Sequence, residues 1–271
     1  MATNRLHSEP NLTERLYEEE KRRPNALLFR FFRKLLEPLR ALTNLSSLNL
    51  TGATGITSLE PLTGLTKLRS LSLADATGIT SLEPLKDLTK LSSLDLTGTT
   101  GITNLEPLSG LTNLNSLDLT DADGLTSLEP LKGLANLNSL KLSFGGIRVV
   151  TRSHDDIITN EIRWHYSERK TSHAVSFTSL DPLKGLMNLS SLDLIGATGI
   201  TSLEPLRGLT NLGSLNLTGA TGITSLEPLR GLTNLKSLDL TGAKAITSLE
   251  PLKGKKIDVR GASDELLATM E

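Results

Sequence analysis

Residues 209–231 read LTNLGSLNLTGATGITSLEPLRG, and this 23-residue phrase recurs through most of the chain. Copies begin at Leu42, Leu65, Leu88, Leu111, Leu134, Leu186, Leu209 and Leu232. Consecutive starts lie 23 residues apart except between Leu134 and Leu186, where a gap of 52 leaves 29 additional residues in the fifth copy. The first and seventh copies differ only at Ser46 against Gly213 and at Thr63 against Arg230. A fixed period of this length with LxxLxxLxL inside it marks a stacked solenoid, one elongated domain whose units bury their leucines only against their neighbours.

Two periodicities alternate within a unit. In Ser47-Leu48-Asn49-Leu50-Thr51 the leucines alternate with polar residues. That spacing predicts a short strand with one buried face, the strands of successive units stacking in parallel about 4.8 Å apart. Gly52, Ala53, Thr54 and Gly55 turn the chain, and Ile56, Leu59 and Leu62 return to the core at the three-residue spacing of a helical or 3-10 turn. Pro61 suits the start of such a turn, where its missing N–H costs nothing. Gly64 is expected to let the chain reverse toward Leu65. Each large apolar side chain contributes roughly 1.5–3 kcal/mol on burial.

The half-unit ITSLEPLRGLTNL resembles the internalin-type, more broadly the bacterial-type, leucine-rich repeat, over about residues 36–254. The resemblance implies an α/β solenoid: a right-handed curved array with parallel strands on the concave face and short 3-10 or helical turns on the convex face. It also implies a protein that binds other macromolecules. Three features depart from the family pattern. The unit is one residue longer than usual. The ladder-asparagine position holds Ala53, Ala76, Thr99, Ala122, Ala197, Ala220 and Ala243, so the turn backbone must find its partners in neighbouring threonines or the main chain. An acid such as Glu60 or Asp181 replaces the serine before proline.

Charge and composition exclude several classes of function. The chain of 271 residues has 29 Lys plus Arg against 30 Asp plus Glu, a net charge of −1, which gives no global attraction to nucleic acid. It has no cysteine, hence no disulfide and no thiolate metal site. The first 24 residues hold no apolar core of a signal peptide, and no apolar run reaches membrane-spanning length. A cytoplasmic location is therefore the expectation.

Three regions follow: a polar and helical N-terminal segment with a cap over 1–41, eight repeats over 42–254, and a C-terminal cap over 255–271. Residues 26–41, ALLFRFFRKLLEPLRA, read as an amphipathic helix running into a half repeat, since Leu36-Glu37-Pro38-Leu39 matches Leu59-Glu60-Pro61-Leu62. A cap over the first unit is one reading of it. A basic membrane-surface helix built on Arg30, Arg33, Lys34 and Arg40 is the other. In the C-terminal cap, Asp258 is expected to extend the strand column, and Ser263 to cap a short helix.

The residue between the two strand leucines forms a column on the concave floor: Asn49, Ser72, Asp95, Asp118, Lys141, Asp193, Asn216 and Asp239. This mildly acidic stripe, interrupted by Lys141, is a candidate binding face; a merely solvated strand face is the competing reading. Hot-spot residues such as Trp and Tyr are missing from it. A calcium ladder on Asp95 and Asp118 lacks the six or more oxygen ligands such an ion needs. On the convex side Glu83–Lys86, Glu129–Lys132, Asp181–Lys184, Glu204–Arg207, Glu227–Arg230 and Glu250–Lys253 are spaced to pair within one turn.

The insertion at 144–176, FGGIRVVTRSHDDIITNEIRWHYSERKTSHAVS, leaves just after the strand that carries Lys141. Arg163, Trp164, His165 and Tyr166 in it have the composition of an interface, and the alternation around Trp164 predicts a β-hairpin or partly ordered loop. Packing onto the array, or a tolerated surface insertion, would explain the segment equally. The spacing of His154, His165 and His173 matches no zinc pattern, and Ser153-His154-Asp155 is no triad, because sequence neighbours cannot take up that geometry. No phosphate-binding loop is present. The reading is a non-catalytic, monomeric scaffold without cofactor, binding a protein through Asp95, Asp118, Lys141, Asp193, Asp239 and the 163–166 set. A structural or membrane-surface module is the alternative.

Overall fold

The computed structural model describes residues 36–143 and 178–270. The insertion, with Arg163, Trp164, His165 and Tyr166, and the predicted helix up to residue 35 lie outside the described residues. One open sheet of nine parallel strands runs through the array in chain order. The strands are β1 (Ser47–Asn49), β2 (Ser70–Ser72), β3 (Ser93–Asp95), β4 (Ser116–Leu119), β5 (Ser139–Ser143), β6 (Ser191–Ile195), β7 (Ser214–Asn216), β8 (Ser237–Asp239) and β9 (Asp258–Arg260). Register follows the repeat, with serine on serine and leucine on leucine; β5 meets β6 as Ser139 on Ser191 and Lys141 on Asp193.

Each crossover between strands carries a 3-10 turn on the opposite side of the solenoid, such as Glu60–Leu62 and Glu227–Leu229. The sequence specifies this turn twice. Proline occupies its first turn, and the serine two residues ahead of the acid accepts that acid's N–H, as from Glu204 to Ser202 Oγ at 3.2 Å and from Glu227 to Ser225 Oγ at 3.2 Å. Asn104 does the same for Glu106 at 2.8 Å. Strand leucines and turn leucines meet in one continuous core from Leu36 to Leu252.

The alanines at the ladder position are buried in the turn, except Ala53 of the first unit, which is half-buried, and the main chain closes it: Ala220 N–H donates to Leu217 O at 3.0 Å. Thr99 adds a bond from its hydroxyl to Leu96 O at 2.6 Å. An asparagine ladder does exist, but at the third position of the unit. Asn113, Asn136, Asn188, Asn211 and Asn234 each donate through Nδ2 to a carbonyl of the preceding unit, at 2.7–2.9 Å.

Three expectations are corrected. Gly64 has no positive φ; among the glycines ending a unit only Gly185 (φ 98°) and Gly254 (φ 76°) do, and Asp87 fills the same place. Asp258 does not extend the Asp column. The cap strand begins early in the repeat, so Asp258 pairs with Ser237 and Arg260 with Asp239. On the convex face Glu83–Lys86, Glu204–Arg207 and Glu227–Arg230 form ion pairs, but Glu250 turns to Arg230 of the preceding unit instead of Lys253. Glu129–Lys132 and Asp181–Lys184 are not among the ion pairs of the described residues; Asp181 is held by Ser179 Oγ at 2.7 Å.

The two ends differ. Leu36 and the 3-10 turn Glu37–Ala41 cover only the turn half of the first unit. Leu45, Leu48 and Leu50 are therefore half-buried, whereas Leu212, Leu215 and Leu217, in the near-identical seventh unit, are fully buried. At the other end helix α1 (Asp264–Leu267) is capped by Ser263, whose Oγ accepts the Leu266 N–H at 3.2 Å. Leu266 and Met270 pack against the last turn.

Candidate functional site

The strand column lies on the sheet face as the repeat requires, but most of its members already serve the fold. Where threonine follows two residues on, the side chain closes a turn on that threonine's N–H. The bonds are Thr51 to Asn49, Thr97 to Asp95, Thr120 to Asp118, Thr218 to Asn216 and Thr241 to Asp239, all through Oδ1 at 2.9–3.0 Å. This is where the strand ends and the chain bends toward the turn. The pattern Asp/Asn-Leu-Thr was visible in the sequence and carries this meaning, which an inventory of the column by charge overlooks.

A lateral chain of bonds links the first three stations. Thr51 and Ser72 hydroxyls lie 2.9 Å apart, and Ser72 Oγ donates to Asp95 Oδ2 at 3.1 Å. Asp95 thus spends both oxygens on the protein. The same holds for Asp118, whose Oδ2 accepts Lys141 Nζ at 2.8 Å. Among the described residues no three His, Asp or Glu side chains come together as a metal site would require.

The centre of the array breaks the rule. Lys141 has no oxygen to close a turn, and Asp193 is followed by Ile195, not threonine. Strands β5 and β6 both run on to five residues. Lys141 lies between Asp118 and Asp193, and bonds only Asp118. Asp193 Oδ1 is buried without a well-formed hydrogen bond, although the Ile195 main-chain N–H and the Asn216 side chain both approach the carboxylate.

Electrostatics divides the column accordingly. Burial opposes ionisation of Asp118, but the bonds from Lys141 and Thr120 outweigh it and hold its carboxyl below the usual range. Burial opposes ionisation of Asp239 too, and is outweighed by Thr241, Thr218 and the Arg260 charge. At Asp193 burial wins and pushes the carboxyl up, against the Ile195 main-chain N–H, the Asn216 side chain and the Lys141 charge. The bond to Asp118 raises Lys141, which stays charged. The structure therefore brings Asp118, Lys141 and Asp193 together as one group. Asp95 and Asp239 stand apart as turn-closing residues at the flanks.

Lys141 is exposed, with 53% of its side chain accessible, and β5 ends at Ser143, from which the insertion departs. The least satisfied group on the sheet face is thus adjacent to the only break in the repeat. No helix among the described residues is long and apolar enough to cross a membrane.

A family model described as leucine-rich repeats in two copies matches residues 66–110. No curated protein matches the chain. Solved structures similar to it include internalin C2 of Listeria monocytogenes, 28% identical with a TM-score of 0.58, covering 81% of this chain and 81% of that one. Internalin F of the same organism is 25% identical with a TM-score of 0.58, over 89% of this chain and 69% of that one. A chain of the Drosophila Toll–Spätzle complex is similar over 76% of this chain and 25% of that one, at 15% identity and a TM-score of 0.50, a likeness of fold alone.

Proposed function

We propose that this leucine-rich-repeat protein, internalin-like in its repeats and fold, is a non-catalytic scaffold. It binds a protein partner on the sheet face at Asp118, Lys141 and Asp193, with Asp95 and Asp239 at the margins. The 144–176 insertion, through Arg163, Trp164, His165 and Tyr166, contributes aromatic contacts. One observation carries the proposal. At the centre of an array whose other polar stations are satisfied internally stands a half-buried aspartate, one oxygen of which is buried without a well-formed hydrogen bond, beside an exposed lysine that a partner can reach.

Such a group is costly alone and gains when a partner supplies a donor and excludes water. Arrays of this kind generally serve as interaction surfaces, the strands offering a rigid, already ordered platform.

The test is affinity capture with the wild-type chain, with Lys141→Glu, and with residues 145–176 deleted. The wild type recovers a protein partner, and each change weakens recovery. Equal recovery of the same proteins by all three removes the sheet centre and the insertion as determinants. Light scattering of the free protein checks the accompanying expectation of a monomer.

A further inference from the structure

A second surface lies on the rim where the chain enters the strands, across the sheet from the point where the insertion leaves. Here a cleft of about 610 Å³ is lined, among the described residues, by asparagine and serine: Asn113, Asn115, Asn136, Asn138, Asn188, Ser190 and Asn211. No charged, aromatic or aliphatic side chain of the described residues lines it. We propose that this cleft is a binding site for a neutral, polyhydroxylated ligand, a carbohydrate chain.

The ladder holds the amides in place before any ligand arrives. Asn113, Asn136, Asn188 and Asn211 spend one Nδ2 hydrogen on a backbone carbonyl of the preceding unit. Each planar amide is thereby oriented, and keeps a second N–H and its Oδ1. Pre-oriented groups lose little entropy on binding. Neighbouring stations follow the strand spacing of about 4.8 Å. The result is a row of paired donors and acceptors, complementary to hydroxyl groups, which donate and accept alike. The absence of charge from the lining disfavours anions and cations, and the absence of an apolar spot disfavours lipid or a peptide side chain.

The ladder position by itself is accounted for by the fold. The fifth position is not. There Ser46, Arg69, Ser92, Ser190, Gly213 and Lys236 stand in six units, and asparagine only in two adjacent ones, as Asn115 and Asn138. The main-chain bonds at this station form without the amide, as from Asn138 N to Asn115 O at 2.8 Å and from Gly213 N to Ser190 O at 2.8 Å. Asn115 and Asn138 reach the next unit's carbonyls at Asn136, 3.4 Å, and Asn188, 3.1 Å, and Ser190 Oγ donates to Asn138 Oδ1 at 2.8 Å. They double the amide row where the cleft is, and the fold does not require them.

Nitrogen-15-labelled full-length protein is titrated with cellohexaose, maltohexaose and chitohexaose, following the side-chain amide signals. At least one sugar shifts the Asn115 and Asn138 signals saturably. The double substitution Asn115→Ser and Asn138→Ser, which installs a residue already used at this station, lowers that affinity about tenfold, the loss of one or two hydrogen bonds. Because the bonds it removes from the fold are on the surface, the variant stays folded and its melting temperature falls by no more than a few degrees. No saturable shift with any of the three sugars overturns the proposal, as does equal affinity in the double variant. Shifts caused by hexaglycine and not by sugars overturn it in favour of a peptide groove.

Discussion

Asp118 and Asp193 sit at the same station on either side of Lys141, yet neutralising them should have opposite effects. Asp193→Asn removes a buried charge whose Oδ1 has no well-formed hydrogen bond. Asparagine is native to this station at Asn49 and Asn216. Asparagine keeps a polar atom at this place, so the gain comes only from removing a charge that burial disfavours, and is expected to be at most about 1 kcal/mol at pH 7. Asp118→Asn breaks an ion pair with Lys141 that is half exposed, and loses about 0.5 kcal/mol.

The pH dependence separates the two further. Burial raises Asp193, so ionising it costs stability as pH climbs from the ordinary carboxylate value through the raised one. The advantage of Asp193→Asn is therefore full at neutral pH and vanishes below about pH 4. Asp118 is lowered, so its contribution is present above its unfolded value of about 4 and disappears as pH falls through its folded value. Urea denaturation of both variants and the wild type at pH 7 and near pH 3.5 measures this. If Asp193→Asn is destabilising at pH 7, the carboxylate is satisfied in the folded protein and the reasoning fails.

Other consequences follow from the repeat, because near-identical units provide internal controls. Leu215→Ala, in the fully buried seventh unit, should cost about 3 kcal/mol, and Leu48→Ala, its half-buried counterpart in the first unit, about half as much; equal losses by denaturation would mean that the first unit is covered as tightly as the rest. Gly101→Ala would place a Cβ 2.6 Å from Ile79 O in the preceding unit, so a loss of about 1–3 kcal/mol is expected, and an unchanged unfolding midpoint would contradict that packing. Asp75 holds φ at 57° where most units have glycine, and Asp75→Gly should relieve about 0.5 kcal/mol of left-handed strain, read as a raised melting temperature.

The fold was legible because each unit repeats one physical statement. Alternating leucines demand a half-buried strand, and Ile56, Leu59 and Leu62 demand a turn facing the same core. Repetition also fixed the register, including Lys141 on Asp193. The cap was misread because Asp258 was placed by analogy with the column, while the short cap brings Arg260 there. The candidate site was legible in position and not in state. Charge alone presents Asp95, Asp118, Asp193 and Asp239 as equivalent. Their differences depend on how closely the main-chain N–H two residues on turns back to the carboxylate, as it does at Thr97, Thr120 and Thr241, and on whether a lysine reaches across from the next strand. Both are matters of conformation. The asparagine cleft escaped notice because its residues come from four units and look like repeat filler one unit at a time.

The central claim, that a protein partner occupies the sheet face around Lys141, is tested most directly by lysine labelling. The free protein and its captured complex are acetylated briefly and compared by mass spectrometry. Lys141 and convex Lys86 have similar exposure, 53% and 59% of the side chain, so they report on opposite faces from equal starting points. The complex should protect Lys141 and leave Lys86, Lys132 and Lys253 reactive. Protection of the convex lysines with Lys141 still labelled would contradict the account.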